Sequence, residues 1–153
     1  MDKLLVLITE LESNILNNEK SAPSISKVTV GWHLEHSLLV INKTIKALEN
    51  STSQDYKWGF SFPRLITYSL NKFPRGRGKA PKVVQPEGII QGENFRKNIE
   101  TAKDKVKGLS SLSANQNFKH PYFGLLNVKS TTKFLRLHTK HHLDIISDIV
   151  NAQ

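Results

Sequence analysis

A chain of 153 residues, 38% hydrophobic and 23% charged, is long enough to bury a core as one domain, and its composition excludes wholesale disorder. The net charge of +9 favours anions in general without specifying a partner. Cysteine is absent, which excludes disulfides, a thiol nucleophile of the chain's own and any thiolate-held zinc or iron–sulfur site; a metal here must be held by His, Asp or Glu.

The first segment, MDKLLVLITELESNIL, carries acids at Asp2, Glu10 and Glu12 and lacks a small-residue cleavage site. It is expected to be a structural helix over 3–18 rather than a leader, with Leu4, Ile8, Leu11 and Ile15 on one face. No apolar run approaches the roughly 18–20 residues that cross a bilayer. A cytoplasmic protein with no membrane partner is the expectation. NNEKSAPSISK then breaks the helix.

A second helix is expected from the N-cap Thr29 to Glu49, with a stripe of Leu34, Leu38, Ile41, Ile45 and Leu48. The stretch 54–92 is irregular. Within it FSFPRLITYSL predicts a short helix with Pro63 in its first turn, and KFPRGRGKAPKVVQPEGIIQG predicts a long loop. Trp32, Trp58, Phe60 and Phe62 are expected in the core. A third long helix over 93–109 presents Phe95, Ile99, Ala102, Val106 and Leu109 on one face. HPYFGLLN leads to a fourth, capped by Asn127 and ending near Val150. No alternation is long enough to suggest a sheet. The pattern predicts an all-α four-helix bundle, one domain over 1–153, with a long connection holding a short extra helix between the second and third long helices.

Six histidines fall at 33, 36, 120, 138, 141 and 142. At 100° per residue Phe134, His138, His142, Ile145 and Ile149 lie within about 40° of one direction, so two imidazoles one turn apart share the buried face. Such a pair can converge on one ion, and each buried ring needs partners for its nitrogens. The glutamate of a zinc-protease HExxH motif is missing, because Thr139, Lys140 and His141 fill the interval. A third ligand should come from VGWHLEHSLLVI. There the helical wheel does not choose between His33 and His36, since neither lies on the main stripe and this half of the helix is apolar on two sides.

VTVGWHLEHSLLVI, followed about a hundred residues later by FLRLHTKHHLDI, resembles the DinB/YfiT-like superfamily, whose members are assigned as metalloenzymes. KFPRGRGKAPKVV and HPYFGLLN resemble one uncharacterised branch of it. The resemblance covers nearly the whole chain and implies a four-helix bundle. It also implies that His36, His138 and His142 are the metal ligands, with His33 and His141 as neighbours; His120, at a loop start, is placed either to reach the site mouth or to cap the entry of the fourth helix. Three imidazoles would leave coordination positions for water or substrate. Zinc and nickel both suit such donors.

Three functional classes follow. A metal-dependent enzyme, a hydrolase or thiol-dependent transferase acting on a small molecule of unknown identity, would use the open site and the basic loop 72–82. A non-catalytic metal-binding or protein-interaction bundle would use the histidines structurally, and a homodimer is compatible with either. Nucleic-acid binding through Arg75, Arg77, Lys79 and Lys82 is disfavoured, because no aromatic interleaving or reading helix accompanies the charges. No convincing general acid or base stands out.

Overall fold

The computed structural model describes residues 2–75, 80–86 and 92–152. Its first helix, α1 (Asp2–Ser13), buries Leu4, Ile8 and Leu11 completely. It is shorter than the apolar spacing suggests. Asn14 interrupts it, and Ile15–Asn17 form only a 3-10 turn.

Helix α2 (Val30–Glu49) starts where expected, with the Thr29 hydroxyl accepting the Trp32 N–H at 3.3 Å. Buried residues run all round its first half: Val30, Gly31, His33, Leu34, His36, Ser37 and Leu38. The reason is packing on several sides, since α2 meets helix α4 (Gly92–Gly108), helix α5 (Val128–Asn151) and the hairpin. α1 also packs on both α4 and α5. Phe95, Ile99, Ala102 and Val106 from α4, and Leu135, Ile146 and Ile149 from α5, complete a single hydrophobic cluster. Ion pairs tie the outside, Lys103 to Glu12 at 2.9 Å and Lys105 to Glu49 at 2.9 Å. At such surface positions each contributes at most about 1 kcal/mol.

The fold is mostly helical but carries a small sheet that the sequence pattern did not suggest. Strands β1 (Asn117–His120) and β2 (Gly124–Asn127) pair antiparallel, Phe118 opposite Leu126 and His120 opposite Gly124. Gly124 sits at φ 73°, a conformation other residues enter at a cost. The hairpin ends directly in α5, whose N-cap Asn127 accepts the Ser130 N–H at 2.9 Å.

The long connection does contain a short helix, α3 (Phe62–Leu70), capped by Ser61 and closed by Asn71 at φ 52°. The aromatic residues of this connection do not take the core positions expected of them. Trp58, Phe60 and Phe62 are 70%, 68% and 63% exposed. α3 docks through polar groups instead: Arg64 Nη1 donates to the Phe123 and Leu125 carbonyls, and the Tyr68 hydroxyl donates to the Ser130 carbonyl at 2.6 Å. No helix among the described residues is long and apolar enough to cross a membrane.

Candidate metal centre

Two helices position the central side chains. α2 supplies His36 and α5 supplies His138 and His142, one turn apart as 3.6-residue periodicity requires. One nitrogen from each ring lies within 4.8 Å of the other two. Their ring centroids stand 5.1 Å (His36–His138), 4.7 Å (His36–His142) and 4.6 Å (His138–His142) apart. A tetrahedral ion with metal–nitrogen bonds near 2.1 Å would separate its ligand atoms by about 3.4 Å. Small side-chain rotations close that gap.

The hydrogen bonds around the cluster bear on which nitrogens are free to bind an ion. His36 Nδ1 is 2.7 Å from the Val84 carbonyl. A carbonyl can only accept, so Nδ1 carries the proton and Nε2 keeps its lone pair. His142 Nδ1 is 2.9 Å from His33 Nδ1, and His33 Nε2 is 2.9 Å from the Ser26 hydroxyl. If His142 donates to His33, His33 must donate onward to Ser26, whose oxygen also accepts the Val28 N–H at 3.3 Å. That direction leaves His142 Nε2 unprotonated and able to bind an ion. The reverse direction would put a proton there. Outer hydrogen bonds of this kind orient metal-ligating imidazoles.

His138 differs. The residue as a whole is partly buried, yet its Nδ1 is sealed from solvent with no hydrogen-bond partner. A buried polar atom left unpaired costs about 1–3 kcal/mol, and an ion is one group that would satisfy it. The residues present therefore fit a divalent metal. Burial also holds the cluster neutral: it pushes His36 below its ordinary value, and His138 and His142 well below theirs. Neutral imidazole is the form that binds metal.

The structure separates the two candidates on α2 that the wheel left tied. His36 faces the cluster, whereas His33, equally buried, stands behind His142. His141 is half-buried with its ring against His142 and Phe73 and is not part of the cluster. His120 is also outside it. Its Nδ1 accepts the Tyr122 and Phe123 N–H groups, and its ring stacks on Phe123, so it shapes the hairpin turn. Arg75 is tied to Asp148 at 2.7 Å. Arg77 and Lys79 of the basic loop lie outside the described residues.

No family model, curated protein or solved structure matches the chain.

Sequence reasoning missed the groups that orient the ligands. Val84 acts through its backbone, in a 3-10 turn (Lys82–Val84) of the Pro-rich loop. Lys43 on α2 donates to the neighbouring Val83 carbonyl, holding that turn over the site. Trp32 stacks on His36 with centroids 4.8 Å apart and shields it from water. A carbonyl leaves no trace in sequence. His33 is expected from the sequence as a neighbour of the site, but Ser26 could have been suspected only from the need of each buried imidazole for a second partner.

Proposed function

We propose that this chain is a four-helix bundle of the DinB/YfiT-like kind that binds one divalent metal ion, zinc or nickel, through His36, His138 and His142, and acts as a metal-dependent enzyme. The observation that carries the reading is the convergence of three imidazole nitrogens within 4.8 Å, with no carboxylate among them. Three neutral donors leave coordination positions open, the arrangement of catalytic rather than structural zinc sites. A bound ion would supply Lewis acidity to a polarised substrate oxygen or to an incoming thiol, which suits a hydrolase or a thiol-dependent transferase.

The chain's own residues set the conditions. The Val84 carbonyl holds the His36 ring in one tautomer, the His33–Ser26 pair fixes the orientation of the His142 ring, and Trp32 covers the first of them. Lys72 and Arg75 lie near enough to His141 that, after burial itself, their charges help lower its pKa. Arg75 is itself paired with Asp148, and Asp144 opposes the two cations at His141, so this rim carries charges of both signs.

The all-histidine donor set also suits a closed, non-catalytic site, so openness is what must be tested. The protein loaded with cobalt(II) should show the strong visible bands of four-coordinate cobalt, and these should shift on adding azide or a small thiol. A spectrum that neither anion nor thiol changes would assign the ion a structural role.

A further inference from the structure

We propose that the outer face of α3 and the adjoining start of α5 form a docking surface for an anionic phospholipid membrane. α3 is inverted relative to an ordinary surface helix. Its polar groups, Arg64, Thr67 and the Tyr68 hydroxyl, point inward, while Phe62, Leu65, Ile66 and Leu70 are 63%, 50%, 42% and 71% exposed. Trp58 and Phe60 extend the apolar patch in the preceding loop. Soluble folds rarely leave so many large apolar groups together at the surface without a partner.

The charges beside the patch say which partner. A shallow cleft of about 610 Å³ lies between the end of α3 and α5, lined by Tyr68, Lys129, Lys133 and Arg136. The three cations share one face of α5 at spacings of four and three. Lys133 is engaged with Tyr68, by its ring at 5.0 Å and its carbonyl at 3.1 Å. Lys129 and Arg136 have no ion-pair partner among the described residues. The sequence holds no Asp or Glu from 56 to 86 or from 105 to 143, the stretches that build this face.

Aromatic and aliphatic side chains beside unpaired cations match the two parts of a membrane interface, acyl boundary and phosphate headgroup. A second copy is a poorer fit, because a two-fold contact would set this acid-free face against itself. The expectation of no membrane partner rested on the lack of a spanning run, and a peripheral contact needs none.

The test is co-sedimentation of the purified full chain with phosphatidylcholine vesicles, with and without phosphatidylserine. Binding is expected only to the anionic vesicles, weakening with salt. Lys129→Glu with Arg136→Glu should lower partitioning about tenfold or more. Trp58→Ser with Leu70→Ser should do so to a similar extent, about tenfold, while leaving the melting temperature unchanged because both side chains are exposed. Quenching of Trp58 by brominated acyl chains, lost in Trp58→Phe, would place the patch in the bilayer. No binding at low salt would overturn the proposal. So would binding indifferent to the apolar pair, which would be adsorption of a +9 chain. A dimer that the apolar pair converts to a monomer, without vesicle binding, would assign the face to a second copy; capture by an acidic protein without vesicle binding would assign it to that partner.

Discussion

Replacing His33 with leucine should weaken metal binding without touching a proposed ligand. His33 is 4% exposed and bridges His142 Nδ1 and the Ser26 hydroxyl, both at 2.9 Å. Leucine fills much of the space but leaves His142 Nδ1 without a hydrogen-bond partner in a place water does not reach. The His142 ring is then free to turn or to change tautomer. Loss of such an outer hydrogen bond lowers metal affinity about 10–100-fold, or about 1.4–2.7 kcal/mol. Asparagine can place an amide oxygen near the lost Nδ1, so His33→Asn should recover part of the affinity. The assay is a competition titration of the metal-free protein with zinc and a chromophoric chelator, alongside a melt of each metal-free variant. If His33→Leu binds zinc as tightly as the natural protein, the relay from His142 to Ser26 has no role in orienting the ligand. Equal weakening in both variants, with a fall in metal-free stability to match, would reduce His33 to a packing residue.

Acid should destabilise the fold through His120 in a definite window. Burial lowers its pKa from 6.5 to about 4, so between those values the unfolded chain binds a proton that the folded chain does not. Stability from this group is complete above pH 6.5 and falls as the pH drops towards 4, by up to about 3 kcal/mol; His120→Asn, which can still accept the two turn N–H groups, should make that part of the urea-unfolding pH profile less steep, leaving the slope that the other buried histidines contribute. Leu38→Ala, at a fully buried site facing the core, should cost about 2–5 kcal/mol by chemical denaturation without moving the helical spectrum. Zinc at a hundredfold excess over its dissociation constant should add about 2.7 kcal/mol, raising the melting temperature by roughly 5–10 °C, and a chelator should reverse the shift; His36→Ala should melt at one temperature with or without zinc.

Much of the helical framework is legible in the sequence because it rests on local signals. Thr29, Ser61 and Asn127 each cap a helix at the position their side chains favour, and apolar spacing marks the buried faces of α1, α2 and α4; on α5 the buried face is turned towards Leu135, Thr139 and Ile146, which leaves His138 and Ile145 only partly buried. The hairpin is hidden because four-residue strands show no usable alternation. It is held by its turn and by distant groups such as the Ser51 hydroxyl, which accepts the Asn117 N–H at 2.8 Å. For α3 periodicity shows two unlike faces but not which one turns outward; that is decided by carbonyls of the hairpin and α5 waiting for Arg64 and Tyr68.

The candidate site divides in the same way. His138 and His142 are legible because their spacing and their place on an apolar stripe are local facts. His33 and His36 are not separable locally, since both rings are buried and only the position of α5 decides which meets the cluster and which stands behind His142. The turn that brings the Val84 carbonyl to His36 lies 48 positions further along the chain, a separation that no periodicity describes.

The most direct test of the account is the metal content of the untagged protein purified without chelators. Elemental analysis should find about one zinc or nickel ion per chain. His36→Ala, His138→Ala and His142→Ala should each lose it, and His120→Asn should keep it. A natural protein that carries no metal and takes up neither zinc nor nickel on titration would contradict the account, as would a stoichiometry that all three alanine substitutions leave unchanged.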